Sequence, residues 1–380
     1  MDLNEMISGL PLVDHHVHTA LGRDVGRPEF ELLITESGRP GPAGTTWFDS
    51  QPGLAIRRWC APVLGLDRFA EPDEYLARRA GLGGAEVARR LLRASGIARY
   101  LIDTGYEADN SLSLAAMAET SGARMDEIVR LEPIAEQLAT ASGGDAASFA
   151  GRFRDALWQQ TTAAVGLKCI IAYRFGLDFE PEPPSAAEVT AAAGRWLAEA
   201  ERSGRARLTD PVLLRHVLWA GAERGLPLQL HTGYGDRDLD LRRCDPLLLT
   251  GFLRAVEPLG VPVMLLHCYP YHREAGYLAE MFRNVYIDVG LALTHAGTRA
   301  EAIVAESMEV APFAKVLFSS DACGLPELHY LGALLWRRAT ASVLGGWAEA
   351  GDWSRQEAAR IASMIGVQNA LRVYRLAGSG

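Results

Sequence analysis

The sequence predicts an α/β fold, a (β/α)8 TIM-type barrel with a long, mostly helical insertion after strand 1. Two observations carry the prediction. Apolar runs of strand length alternate with helical segments, as parallel βα units require, and there are eight such runs, the number that closes a barrel. Residues 1–380 are read as one barrel domain, with 19–96 as an insertion or lid subdomain inside it.

The first run, "LPLVDHHVH" from Leu10, ends in imidazoles. Strand alternation places His16 and His18 on one face with Asp14 below them and turns His15 towards the surrounding helices. From Thr19 to Ser95 there is no convincing strand, although "EPDEYLARRAG" and "GAEVARRLLRASG" read as helices and "GRPGPAG" as a bend. A connection of that length is usually functional, and after strand 1 it would lie over the barrel mouth. Its Trp47, Phe48 and Trp59 would line a pocket or form a small core of their own. The remaining runs begin at Ile97, Asp126, Ala164, Leu226, Val261, Asn284 and Ala314. Helix starts lie between them: Asp210-Pro211 and Asp245-Pro246 are cap-plus-proline pairs, and Ser185 with Glu188 and Ser354 with Glu357 match the capping box.

Hydrophobic residues at 48% and charged residues at 22% belong to a folded globular chain. The net charge of −9, with scattered basic residues, argues against nucleic acid as a partner. No apolar run approaches the ~20 residues that span a bilayer, and "MDLNEMISGL" is no signal peptide, so a cytoplasmic protein without membrane partners is expected. Cys60, Cys169, Cys244, Cys268 and Cys323 form no CxxC pair, and the odd count fits reduced thiols serving as core filler. The expected partners are a small-molecule substrate and further copies of the chain in a homo-oligomer.

His231 closes the fifth run, His267 the sixth and Asp321 the eighth. In a barrel all strand ends meet at one mouth, so these residues would join His16 and His18. Imidazoles and a carboxylate are ligands for a divalent transition metal, and such an ion lowers the pKa of water to roughly 7. Asp321 would accept the proton from that water and pass it to a leaving group.

The order HxH, His, His, Asp along the strands resembles the metal-dependent amidohydrolase superfamily, and "VQNALRVYRL" resembles the end of its amidohydrolase-2 (amidohydrolase-related) branch. The segments "GLKCIIAYRFGLD", "HCYPYHREAGYLA" and "VLFSSDACGLPELHYLGA" are similar to the amidohydrolase domain that precedes a glutamine-synthetase-like domain in certain fungal and plant nodulin-like fusion proteins. With Gly380 as the last residue, the domain is expected to stand alone. The resemblance implies that His16, His18, His231 and Asp321 bind metal, with His267 either a further ligand or a donor that polarises a carbonyl. Lys168 is implied either as a carboxylated bridge between two metals or as an ordinary lysine paired with a carboxylate. One metal is expected rather than two, zinc first, with manganese and iron compatible.

Candidate substrate readers surround this set. Tyr173 and Arg174 follow strand four, and an arginine fork matches a carboxylate, although Arg174 could equally pair with Asp178. His272 and Arg273 follow strand six, where the alternative role is a helix cap; Glu327 and His329 follow Asp321, where it is a solvated helical turn. His295 is placed like them, and His216 reads as structural. The expected activity is hydrolysis of a C–N bond in an amide of a small carboxylate, with a γ-glutamyl amide implied only by the resemblance. A non-oxidative decarboxylase or uronate-isomerase-like enzyme on the same site is the alternative, and a regulatory protein with a vestigial site is the third.

Overall fold

The computed structural model describes residues 2–106, 110–140 and 145–377. Its centre is a parallel sheet of seven strands in sequential order: β1 (Leu12–Val17), β2 (Ile97–Asp103), β3 (Arg124–Arg130), β4 (Gly166–Cys169), β5 (Leu228–His231), β6 (Val263–Leu266) and β7 (Val285–Ile287). β1, β4, β5 and β6 are buried along their whole length, as expected of strands covered on both faces.

The eighth run does not form a regular strand, yet it links the two edges of the sheet. Leu317 N donates to Ile287 O on β7 (2.9 Å), while His15 N donates to Phe318 O (3.2 Å) and Asp321 N to His16 O (3.1 Å) on the β1 side. Regular pairing lapses where side chains take over: Ser319 Oγ donates to Asp288 Oδ1 at 2.8 Å, and Ser320 Oγ and N both donate to Asp14. Asp321 itself sits at φ 49°, a turn that no regular strand contains.

Two apolar clusters flank the strands. The larger lies between sheet and helices. The smaller includes Val13, Leu101, Ile128, Met264, Leu266 and Leu317 and is closed by Ala370, Val373 and Tyr374 from the helix Asn369–Val373 and the turn after it. His15 joins this second cluster, with Nδ1 3.0 Å from Tyr374 Oη and Nε2 3.0 Å from Asp288 Oδ2, rather than facing the helices. The expected alternation fails because the β1–β2 register shifts between Asp14 and Val17. For the same reason Asp14 supports the Ser320 turn instead of standing below the imidazoles.

Between β1 and β2 the chain forms helices that include Arg27–Leu32, Pro72–Leu82 and Gly84–Ala94. Phe30 stacks on Phe48 at 5.4 Å and meets Tyr75 at 6.0 Å, so Phe48 belongs to a local aromatic core. Among the described residues no helix is long and apolar enough to cross a membrane. All five cysteines are free, and four are buried.

Candidate metal centre

The C-terminal ends of the strands open into a cavity of about 510 Å³. His16, His18, Lys168, His231, His267 and Asp321 all line it, together with Arg130 from β3 and Tyr106 beyond β2. Asp321 Oδ1 lies 3.1 Å from His16 Nε2 and 3.7 Å from His18 Nε2, and its Oδ2 lies 3.4 Å from His267 Nδ1. Two compact donor groups result, His16–His267–Asp321 and His16–His18–Asp103, and they share His16. The carboxylate of Asp103 is already engaged, by Gly105 N–H at 2.9 Å and by Arg130 Nη2 at 2.5 Å, which leaves the first group freer to take an ion. His231 stands slightly aside, its ring 4.6 Å from that of His267 and 4.4 Å from that of Tyr173.

Hydrogen-bond partners decide which imidazole nitrogens are bare. His16 Nδ1 faces Gln229 Oε1 at 2.8 Å and His18 Nδ1 faces the carbonyl of Asp103 at 3.2 Å. Both partners only accept, so both Nδ1 atoms carry hydrogen and both Nε2 lone pairs turn towards Asp321. Burial holds His16, His231 and His267 well below the usual imidazole range and lowers His18 to about 4, so none of them answers the carboxylate with a charge of its own. Burial also raises the Asp321 carboxyl well above its ordinary range, against the pull of Lys168. His231 Nε2 and His267 Nδ1 are buried without a hydrogen bond. Convergent acceptors that lack a donor are what a cation resolves, so these residues fit a divalent metal.

The amidohydrolase family model matches residues 13–376. This chain belongs to the amidohydrolase family. Across 98% of its length it is similar to a Lactobacillus casei protein assigned as a metal-dependent hydrolase, at 31% identity and TM-score 0.86, covering 97% of that chain. Protein fluG of Emericella nidulans is 26% identical over 98% of this chain. The amidohydrolase chain spans about half of that curated relative, 47% of its length. The glucuronate isomerase of Caulobacter crescentus shares the fold, with TM-score 0.67 at 16% identity over 100% of this chain and 94% of its own.

The remaining side chains of this amidohydrolase divide clearly. Tyr173 and Arg174, on the short helix Ile171–Arg174, line the cavity. Arg174 Nη2 meets Glu136 at 3.2 Å while its buried Nε and Nη1 have no partner; Asp178, the alternative counterion, binds Arg243 instead at 2.6 Å. Lys168 is buried at the end of β4, and burial lowers its ammonium to about 8 although Asp103 and Asp321 oppose the shift. His295 also reaches the cavity, where its Nε2 is 3.3 Å from Glu36 of the segment after β1.

Four expected substrate readers stand elsewhere. His272 and Arg273 sit on the helix His272–Met281 outside the cavity wall, paired with Glu306 (2.8 Å) and Glu309 (3.0 Å), because acidic residues of the neighbouring segment claim them first. Glu327 is fully buried beneath the segment after β1, where Tyr75 Oη (2.9 Å) and Arg79 Nε (2.8 Å) donate to it. His329 is buried beside Tyr100, at 6.0 Å between rings. His216 packs against Phe149 and Phe153 in the middle of its helix. Asp103, Arg130, Gln229 and Glu36 were not anticipated, although Asp103 and Arg130 end their strands just as the histidines do.

Proposed function

We propose that this chain is a metal-dependent hydrolase that cleaves the amide C–N bond of a small carboxylate-bearing substrate, with γ-glutamyl amides the first to test. One observation carries the reading: two bare Nε2 atoms and Asp321 Oδ1 meet as acceptors, largely buried, at the cavity the strand ends form. His16, His267 and Asp321 would hold one divalent ion, zinc first and then manganese or iron, with His18 and His231 offering the further imidazoles. Such an ion supplies water that ionises near neutral pH and polarises a bound carbonyl.

The chain's own groups do the rest. Asp321, within reach of His16, His18 and His267 at the cavity wall, would take the proton of the attacking water and return it to the departing amine as the C–O bond replaces the C–N bond. Arg174 lines the cavity with two buried, unpartnered nitrogens as the fork for a substrate carboxylate, and the Tyr173 ring beside it packs on His231. Leu32 and Leu33 of the segment after β1 face the same cavity, and in this reading that segment is a lid that excludes water.

Replacing Asp321 tests the assignment. With metal restored, Asp321→Asn should lower turnover of γ-glutamyl amides by on the order of 10²–10⁴-fold, with elemental analysis recording the retained ion. Full activity in that variant overturns the role. In the accompanying screen, release of carbon dioxide from aromatic acids would select a decarboxylase, and uronate interconversion without water uptake an isomerase. Protein that holds no metal, and whose melting temperature ignores added metal, would instead be a vestigial site.

A further inference from the structure

Gln229 is fully buried on β5, two positions before His231, and its amide orientation can be read from its partners. One end meets the carbonyl of His15 at 2.7 Å and Tyr374 Oη at 2.8 Å; the other meets His16 Nδ1 at 2.8 Å. A carbonyl only accepts, so the end at His15 is the NH2 group and the oxygen faces His16. The opposite orientation would press two carbonyl oxygens together in a buried site. Tyr374, accepting from Gln229, is free to donate to His15 Nδ1 at 3.0 Å, which leaves the His15 hydrogen on Nε2 for Asp288 Oδ2 at 3.0 Å. Asp288 Oδ1 then accepts from the backbone N–H of His267 at 2.9 Å, a residue held at φ 67°. One directional chain therefore runs from His16 through Gln229, Tyr374 and His15 to Asp288, all buried, and the Asp288 carboxylate ties it to His267 by also accepting that residue's N–H.

We propose that Gln229 and Tyr374 are positioning residues: they lock His16 in the tautomer whose Nε2 faces Asp321, and through His15 and Asp288 they brace the backbone of His267. Neither reaches the cavity wall, so neither acts on substrate directly. The consequence for metal affinity rests on the metal-centre reading, whereas the tautomer itself does not.

The test uses the metal-free 380-residue chain with 15N-labelled histidine, in which long-range 15N–1H correlation spectra identify the protonated ring nitrogen. Wild-type His16 should carry hydrogen on Nδ1. Gln229→Met, which keeps the volume and removes both polar ends, should move His16 towards the Nε2–H form and weaken Zn²⁺ binding by about 10–100-fold. Tyr374→Phe should weaken it by a smaller factor and shift the nitrogens of His15, and it carries the test if Gln229→Met does not fold. The proposal is overturned if the variants keep the wild-type His15 and His16 nitrogen signals and bind Zn²⁺ within twofold of wild type. Wild-type protein that takes up neither Zn²⁺ nor Mn²⁺ overturns the metal centre instead, and the spectra of metal-free protein still decide the tautomer.

Discussion

A methyl group added to Gly235 would lie 2.2 Å from Tyr173 Oη and 2.8 Å from His231 Nε2, so the loop after β5 passes the imidazole at a distance only glycine permits. The Tyr173 hydroxyl is a side-chain tip that can move, but the buried His231 ring is held between Tyr173 and His267, so Gly235→Ala should lower the melting temperature. It should also displace Tyr173 and cut kcat/KM about tenfold, roughly 1.4 kcal/mol of transition-state stabilisation. Steady-state kinetics beside a thermal melt would check both halves. Side chains of this kind also show what a single sequence discloses. That His16, His18, His231, His267 and Asp321 would share one mouth was legible because they end separate apolar runs and parallel barrel strands converge at their C-terminal ends, although a single strand ending in histidines has an ordinary structural explanation. Asp103 obeys the same strand-end rule but was passed over, since an aspartate before a turn already has a local explanation. Gln229 gave no signal at all, because its role lies in partners 145 and 213 positions away.

Glu327 illustrates what helices hide. At the start of the helix Pro326–Ala350 a glutamate reads as a solvated first-turn residue, yet the segment after β1 folds over it and supplies Arg79 and Tyr75. Both members of the ion pair are essentially inaccessible, at 0% and 2% exposure, so removing one strands the other without water. Arg79→Met should therefore cost about 3–5 kcal/mol in urea unfolding, and Arg79→Met with Glu327→Leu should recover much of that loss. Because Glu327 lies outside the cavity wall, the kcat of the molecules that remain folded should change little. The helices Pro72–Leu82 and Gly84–Ala94 were legible from their own periodicity, but where they dock was not. The eighth run was misjudged for a related reason. Its apolar residues satisfy a strand pattern, while Ser319 and Ser320 bond the carboxylates of Asp288, 31 positions back, and Asp14, 306 positions back.

Seen as one folded unit, the protein stores many neutral imidazoles. Burial lowers His16, His18, His216, His231, His267 and His329, the last to about 3. Unfolding frees them to bind protons near the ordinary histidine value of about 6.5. Below that pH the unfolded chain holds more protons than the folded one, so the stability present above it is lost as pH falls towards the depressed folded values. Asp14, which burial raises to about 7, together with Glu132, Asp236 and Asp321, also raised by burial, acts in the opposite sense, but the six histidines outnumber these four. Denaturant unfolding of metal-free protein should show stability falling steadily from pH 7 to pH 4.5, and His329→Leu should flatten that slope by up to one proton.

The link between β1 and the segment around Asp321 also sets a timetable. Asp14 and the Ser320 it holds are 306 positions apart, so at about 5–20 residues per second of synthesis roughly 15–60 s separate their emergence from the ribosome. Throughout that interval His16 and His18 have no Asp321 beside them, and the register that aims their lone pairs is incomplete. A chain still being made gains Asp103, His231 and His267 on the way but lacks the one carboxylate that meets His16, His18 and His267, so the donor set closes only when the last βα unit has emerged.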